Sequence, residues 1–189
     1  MEKQQLIDNH NQVLSGPLIL KPNIFRDARG FFFESWNRKN FHEITSKDII
    51  FVQDNHSLSS YATLRGLHFQ VSPEPQAKLV RCIRGEVFDV IVDLRNRSST
   101  FGHWAGLKLD PLEAKQLWIP NGFAHGFLVL SDQAEVVYKV SNYWHQKFER
   151  VLHWNDQEVA ISWPLNIQPK LSLRDSQGLS LSKCSDFKF

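Results

Sequence analysis

The stretch TLRGLHFQ, at residues 63–70, places Arg65 and His68 among apolar side chains. A histidine titrates near neutral pH and can act as a general base, and an arginine can hold a phosphate through two parallel hydrogen bonds. Side chains alternate along an ideal strand, so Arg65 and His68 would point to opposite faces. A kink or bulge at Gly66 would bring both to one pocket, whereas regular pairing would make this an ordinary edge strand.

A second histidine, His125, follows a turn in the run IPNGFAHGF at residues 119–127. A Pro-x-Gly-x-x-His run that enters a strand resembles the second signature of the cupin jelly rolls, in which the turn directs a histidine into the barrel. The first cupin signature would supply a His-x-His pair and a downstream Glu, but LHFQ holds only His68. Because a transition metal needs three or four nitrogen or oxygen ligands, the sequence predicts no metal site.

The bulk composition is that of an ordinary globular protein. The chain has 189 residues, 42% of them apolar and 22% charged, which suits one domain with a substantial core. A net charge of +2 without a basic run argues against a nucleic-acid partner. The polar start MEKQQLIDNHNQ does not resemble a signal peptide, and no apolar run approaches the ~20 residues of a membrane span. We therefore expect a cytoplasmic protein with no membrane partner.

The elements that must position these residues are mostly short strands separated by turn signals. Helix-forming composition at 37–48, with Phe41 and Ile44 on one face and Asn37 as a cap, predicts the one convincing helix. The tail from about residue 165 to 189 is rich in Pro, Ser and Asn, and we expect it to be irregular. Many short strands without β–α–β alternation predict an all-β fold, an antiparallel jelly roll or sandwich with few short helices.

Two turn signals predict β-hairpins. The polar turn RDAR separates two apolar runs, and Gly85 divides the strand-like run at 77–95. In the second half of that run, alternation predicts one apolar face and one mixed face that contains Asp89 and Ile91. The mixed face could line a pocket or could simply contact solvent.

Longer motifs give the chain a family resemblance. They occur in this order between residues 25 and 175: FRDARGFFFESW, FVQDNHSLS, LRGLHFQ, QAKLVRCIRGEVFDVIVDLR, STFGHWAG, QLWIPNGFAHGFLVLSDQAEVVYK, ISWP and LSLRD. Together they resemble the dTDP-4-dehydrorhamnose 3,5-epimerases, which are metal-independent, cofactor-free sugar-nucleotide epimerases of rhamnose biosynthesis. The resemblance implies a single cupin jelly-roll domain over 1–189. It also implies a homodimer whose subunits share N-terminal strands and complete each other's sites.

The family reaction inverts carbons next to a ketone, which requires a base, a stabiliser for the enolate and a proton donor on the opposite face. The resemblance implies that His68 is the base and that Asp175 holds its imidazole in the working tautomer. It implies that Lys78 places a cation against the enolate oxygen and that Tyr138 returns the proton.

The resemblance also implies a set of groups that bind the nucleotide sugar. Arg65 would pair with the diphosphate, and two residues, Arg29 and Glu34, would come from the neighbouring subunit. The chain departs from the family at Arg174, where Lys is frequent, and at Trp144, where a second Tyr is common. The expected substrate-binding residues are Arg29, Glu34, Gln53, Asn55, Arg65, His125, Glu149 and Arg174.

Other functions stay open at this point. The same chemistry could invert C3 alone on a related 4-keto-6-deoxy sugar nucleotide. Less favoured are a metal-dependent cupin oxidoreductase and a non-catalytic sugar-binding cupin. A binding module has no need for a base and an acid on opposite faces of its ligand.

Overall fold

The computed structural model describes residues 1–189 and contains thirteen strands and one α-helix. Short 3-10 turns occur at Asp175–Gln177 and Leu181–Lys183. No helix is long and apolar enough to cross a membrane. The elements are β1 (Glu2–Ile7), β2 (Val13–Lys21), β3 (Phe25–Asp27), β4 (Gly30–Phe32), α1 (Arg38–Thr45), β5 (Gln53–Ser60), β6 (Leu64–Gln70), β7 (Lys78–Arg84), β8 (Val87–Asp93), β9 (Trp104–Leu109), β10 (Gln116–Ile119), β11 (Phe123–Val129), β12 (Gln133–Val140) and β13 (Glu149–Val151).

The strands form two large sheets and one small hairpin. The first sheet has six strands in the order β1-β2-β10-β7-β12-β5, and the second has five in the order β13-β6-β11-β8-β9. Strands β3 and β4, joined by the RDAR turn, pair only with each other and are called the arm below. All strand pairs are antiparallel, which confirms the all-β jelly roll and the hairpin at RDAR.

The predicted hairpin across Gly85 is wrong, because β7 and β8 lie in different sheets. Strand β7 pairs with β10 and β12, whereas β8 pairs with β9 and β11. Gly85 does make the turn: its φ is +74°, and a Cβ there would lie 2.0 Å from the Gln133 oxygen. The chain then crosses to the other sheet, so Val80 and Val87 meet in the core between the sheets. The alternation of apolar residues along 77–95 fits two facing sheets as well as it fits a hairpin.

Apolar side chains fill three layers. The inner core lies between the sheets and includes Val80, Ile91 and Phe127. Helix α1 covers the outer face of the first sheet, where the buried Phe41 packs edge-on against Trp118. The predicted cap is confirmed, since the side-chain oxygen of Asn37 accepts a hydrogen bond from a backbone N–H of α1.

The C-terminal tail covers the outer face of the second sheet. As expected, it has no regular strand, but it is firmly packed, with Leu181 in a cluster that includes Leu67 of β6. A bridge between Thr63 and Lys170 aligns the tail with the start of β6. This contact brings distant residues of the tail beside the strand that carries Arg65 and His68.

Candidate active site

Strand register shows which side chains enter the space between the two sheets. Tyr138 of the first sheet is paired with Val80, a residue of the inner core. His125 of the second sheet is paired with Ile91, which belongs to the same core. Residues paired directly across strands project from the same face, so Tyr138 and His125 both point into the interior, from opposite walls.

The irregularity predicted at Gly66 is confirmed. Strand β6 advances three residues, from Arg65 to His68, where its partner β11 advances two. Gly66 has a φ of +125°, and a Cβ there would lie 2.6 Å from the backbone of β11, so only glycine fits. The extra residue reverses the alternation of faces, and Arg65 and His68 therefore share the inward face.

His68 and Asp175 form a pair, with His68 Nε2 and Asp175 Oδ1 2.6 Å apart. Burial alone would raise the pKa of Asp175, but hydrogen bonds from His68 and other donors hold that pKa below its ordinary value. An ionised carboxylate can only accept hydrogen bonds, so Nε2 of His68 carries the proton. The lone pair on Nδ1 is then available as a base, and the His68 side chain remains 32% exposed.

Lys78 is a buried cation directly beside this pair. Its Nζ donates a hydrogen bond to the backbone oxygen of His68 at 3.1 Å. Burial lowers the pKa of Lys78 to about 8, although the charges of Glu149 and Asp89 raise it. Most Lys78 side chains are therefore ammonium at neutral pH, in surroundings where a charge acts strongly on nearby anions.

Tyr138 provides a weak acid on the opposite wall. Burial and the charge of Glu149 raise the pKa of Tyr138, while Arg65 lowers it. The phenol therefore keeps its proton at neutral pH and can donate it. Because Tyr138 belongs to the first sheet and His68 to the second, the acid and the base stand on facing walls of the interior.

His125 forms a second buried pair, with Asp89 of β8. The His125 Nε2 lies 3.0 and 3.1 Å from the two carboxylate oxygens. Burial lowers the pKa of His125, against the charge of Asp89, so the ring is neutral. The mixed face of β8 thus points inward. Asp89 was not predicted as a site residue, because the alternation pattern alone could not separate an inner face from a solvent face.

Several other predicted binding residues are linked to one another through Trp144. Gln53 donates a side-chain hydrogen bond to Asn55 and accepts one from the backbone of Trp144. Glu149 accepts a hydrogen bond from the Trp144 indole and forms an ion pair with Arg174. The departures at Trp144 and Arg174 thus meet on one carboxylate, a contact that the motifs did not reveal.

Arg65 is held by a neighbouring strand. Its Nε donates to the Ser59 hydroxyl at 2.8 Å. The guanidinium retains further donors for an anion.

Arg29 and Glu34 make no hydrogen bond or ion pair with the other predicted site residues. Arg29 is highly exposed and pairs with Asp27 of the arm. Glu34 accepts hydrogen bonds from the side chains of Asn37 and Asn40 at the start of α1.

The facing walls therefore combine an imidazole base paired with a carboxylate, an ammonium and a neutral phenol. This set can remove a proton from carbon, stabilise the resulting enolate and return a proton from the other side. The chain has no cluster of three or more His, Cys, Asp or Glu side chains with a geometry that could hold a metal ion.

Comparisons with known proteins agree with this chemistry. Residues 11–183 match the family model of dTDP-4-dehydrorhamnose 3,5-epimerase. The enzyme of that name from Salmonella typhimurium is 52% identical over 159 residues, which cover 84% of this chain and 87% of the relative.

Solved structures show the same similarity in three dimensions. A dTDP-6-deoxy-D-glucose-3,5-epimerase from Legionella pneumophila, in complex with dTDP-4-keto-L-rhamnose, is 42% identical with a TM-score of 0.88, covering 96% of this chain and 94% of its own. A 3'-monoepimerase from Streptomyces bikiniensis, in complex with dTDP-quinovose, is 33% identical with a TM-score of 0.85, covering 89% and 86%.

Proposed function

We propose that this chain, which belongs to the dTDP-4-dehydrorhamnose 3,5-epimerase family, converts dTDP-4-dehydro-6-deoxy-D-glucose into dTDP-4-dehydro-L-rhamnose. The C4 ketone makes the C–H bonds at C3 and C5 acidic. Each carbon can then be inverted by removing a proton from one face and returning one to the other. Since an enolate intermediate leaves the oxidation state unchanged, the proposal includes no cofactor.

In the proposed cycle, Nδ1 of His68 removes the proton, and the electron pair of the C–H bond moves to the C4 oxygen. Lys78 donates a hydrogen bond to that enolate oxygen, and Tyr138 delivers a proton to the opposite face of the carbon. The observation that carries the proposal is the placement of a paired imidazole and a protonated phenol on facing sheets.

Each inversion leaves His68 protonated and Tyr138 as a phenolate, so both must reset before the next one. The partly exposed His68 ring can release its proton to solvent, and the phenolate can take one up. The hydrogen placed on C3 or C5 therefore originates from water.

The substrate-binding roles are part of the proposal. Arg65 and Arg174 would neutralise the diphosphate, since guanidinium groups bind phosphate oxygens in pairs. His125 and Glu149 would bind sugar hydroxyls, and Gln53 and Asn55 would exchange their mutual hydrogen bond for contacts with the ligand.

We also propose a homodimer in which Arg29 and Glu34 of one subunit complete the site of the other. The exposure of the Arg29 side chain and the exposed apolar side chains of the arm support this assignment. A cytoplasmic location, where nucleotide precursors are available, belongs to the same proposal.

The decisive experiment is an NMR assay with dTDP-4-dehydro-6-deoxy-D-glucose in D₂O. We expect deuterium at both C3 and C5 of the product. Label at C3 alone would instead indicate a 3-epimerase. Binding of the nucleotide sugar without any label would indicate a non-catalytic module, and activity lost on chelation would indicate a metal-dependent enzyme.

A matched variant, His68→Asn, isolates the base in the same assay. We expect the folded variant, verified by circular dichroism, to lose label at both carbons. More than about a tenth of wild-type turnover would remove His68 as the base, because a general base contributes roughly 10²- to 10⁴-fold.

A further inference from the structure

We propose that Asp89 is a positioning residue of this site, which orients His125 as a hydrogen-bond acceptor for the substrate and supports the ammonium charge of Lys78. The inference rests on the proposed function, because it assigns Lys78 and His125 their tasks in that reaction.

The first support is the burial of Asp89. Its side chain is fully buried in the middle of β8, where an unpaired carboxylate would be costly. The titratable groups that face it are His125 of β11 and, from β7, Lys78 and Cys82. Burial raises the pKa of the Cys82 thiol to about 11, so Cys82 is uncharged. Lys78 is the cation among these groups.

The second support is the tautomer of His125. Both Asp89 oxygens lie within hydrogen-bond distance of Nε2, and a carboxylate only accepts, so Nε2 carries the proton of the neutral ring. Nδ1 makes no hydrogen bond. Among the side-chain nitrogens and oxygens only Trp104 Nε1 is both fully buried and unpartnered, so Nδ1 of His125 keeps some accessible surface on the inward face. It can accept a hydrogen bond from a sugar hydroxyl there.

The third support concerns the two carboxylates whose charges act on Lys78, Glu149 and Asp89. Only Glu149 also forms an ion pair with an arginine. Glu149 of β13 acts on Lys78 but also forms an ion pair with Arg174 and accepts the Trp144 indole N–H. Asp89, in contrast, forms no direct ion pair with an arginine or a lysine. Its hydrogen-bond partner is His125, whose ring is neutral. Lys78 donates its hydrogen bond to the backbone oxygen of His68 on β6, which carries no formal charge.

The strand offers a matched control in Asp93, which lies four residues further along the same face. Asp93 is also fully buried, but it is bound by Arg95, Ser98 and Thr100 instead of site residues. Asp93→Asn should therefore lower stability without changing the titration of the active site.

The test compares the kcat–pH profiles of the wild type, Asp89→Asn and Asp93→Asn. In the wild type we expect kcat to fall above about pH 8 as Lys78 loses its proton. Loss of the Asp89 charge makes the ammonium less favourable, so in Asp89→Asn this alkaline fall moves to lower pH. We expect kcat at pH 7.5 to drop roughly 10- to 100-fold, as for other groups that orient a catalytic side chain, with a smaller change in KM.

A folded Asp89→Asn with the wild-type profile, or an equal shift in Asp93→Asn, would overturn the inference. If Asp89→Asn does not fold, a measurement on the wild type still tests the inference. ¹⁵N NMR of the histidine rings at pH 7 should show that Nδ1 of His125 carries no proton. A proton at Nδ1 would contradict the proposed role of Asp89. Failure of the proposed function itself would look different, because the wild type would then incorporate no deuterium.

Discussion

Under the proposed function, the surroundings of His68 and Tyr138 suit these two residues to different roles in proton transfer. His68 is partly exposed and is held by an ionised carboxylate, so it can take a proton from carbon and release it to water. Burial raises the pKa of Tyr138, which keeps the phenol protonated and suits it to donate to a carbanion. Removal of the Tyr138 hydroxyl should therefore separate proton abstraction by His68 from inversion of the carbon.

Tyr138→Phe tests this separation. We expect formation of inverted product to fall at least about 10²-fold, because the donor on the opposite face is gone. Deuterium should still enter the unreacted substrate, since His68 can return a solvent-derived proton to the face from which it took one. NMR of the residual substrate in D₂O measures both quantities.

Tyr61→Phe provides the control, because Tyr61 is exposed and outside the site. It should leave turnover unchanged. Inversion by Tyr138→Phe at a rate near that of the wild type would show that another group supplies the proton.

At the level of elements, the bulge in β6 sets the direction of two site residues. The backbone of Gly66 lies so close to β11 that a Cβ would meet the Gly126 Cα at 2.6 Å and the His125 oxygen at 2.8 Å. Neither contact is with a flexible side-chain end, so neither can be relieved without moving a strand. Gly30 of the arm has nearly the same φ, +124°. A Cβ added to Gly30 would have no atom within 4 Å beyond those of its chain neighbours.

The pair Gly66→Ala and Gly30→Ala separates backbone strain from collision. Gly30→Ala should cost about 1–3 kcal/mol from strain alone. Gly66→Ala should cost a further 1–3 kcal/mol from overpacking and should also lower activity, because His68 and His125 must shift. Urea denaturation at one protein concentration gives the free energies of unfolding, and equal losses would contradict the argument.

A second element contact joins the edges of the two sheets. Asp8, in the turn between β1 and β2, is buried and bonded to His103 at the start of β9, with Asp8 Oδ2 and His103 Nδ1 2.7 Å apart. Burial would raise the pKa of Asp8, but hydrogen bonds from the Gln12 backbone, His103 and the His10 backbone hold that pKa below its ordinary value. The charged form therefore stabilises the fold.

Asp8→Asn should lower the free energy of unfolding by about 1–3 kcal/mol at pH 7, the usual cost of a disrupted buried hydrogen bond. The folded-state pKa lies below the unfolded one, so this contribution is fully present above the ordinary carboxyl pKa and is lost as pH falls from there through the lower folded-state pKa. The difference between wild type and variant should therefore shrink from pH 6 to pH 3 in urea titrations.

Asp48→Asn is the matched surface change, since Asp48 forms an exposed ion pair with Arg38. It should change stability little at any pH. A difference for Asp8→Asn that stays constant from pH 6 to pH 3 would show that the Asp8 charge is not involved.

For the whole molecule, the arm is the clearest surface without a partner. Phe25, Phe31 and Phe32 are 65%, 57% and 68% exposed on a hairpin that pairs with neither large sheet. Clustered apolar side chains of this kind mark interaction surfaces. Under the proposed function, the arm of one subunit would bring Arg29 to the site of the other.

Complementation tests this exchange. Arg29→Ala and His68→Asn should each have low activity as homodimers. When the two are co-expressed, a mixed dimer contains one site with an intact His68 and an intact Arg29 from its partner, so activity should reappear. Mixed dimers that stay inactive would place Arg29 in the site of its own chain, and an Arg29→Ala homodimer with wild-type activity would place it outside any site. A monomer by light scattering would contradict the dimer.

Local features of the fold were predictable from the sequence. The cap at Asn37, the RDAR turn, the antiparallel strands and the irregular tail follow from short-range preferences that act within a few residues. The bulge at Gly66 was one of two possibilities that the sequence left open, since Arg65 and His68 share a face only if the strand is irregular between them. The motifs of His68 and His125 predicted a pocket for both, and the two side chains do share the inward face of the second sheet.

Long-range contacts were decided only by the tertiary structure. Alternation along 77–95 is compatible with a hairpin or with two facing sheets, and only the packing of both sheets around one core selects the second. The same packing turns Asp89 inward. Asp175 lies 107 positions beyond His68, and it reaches the His68 ring only because the tail covers β6. Sequence periodicity reports which face of a strand is apolar, whereas the partner of that face depends on how the whole chain buries its surface.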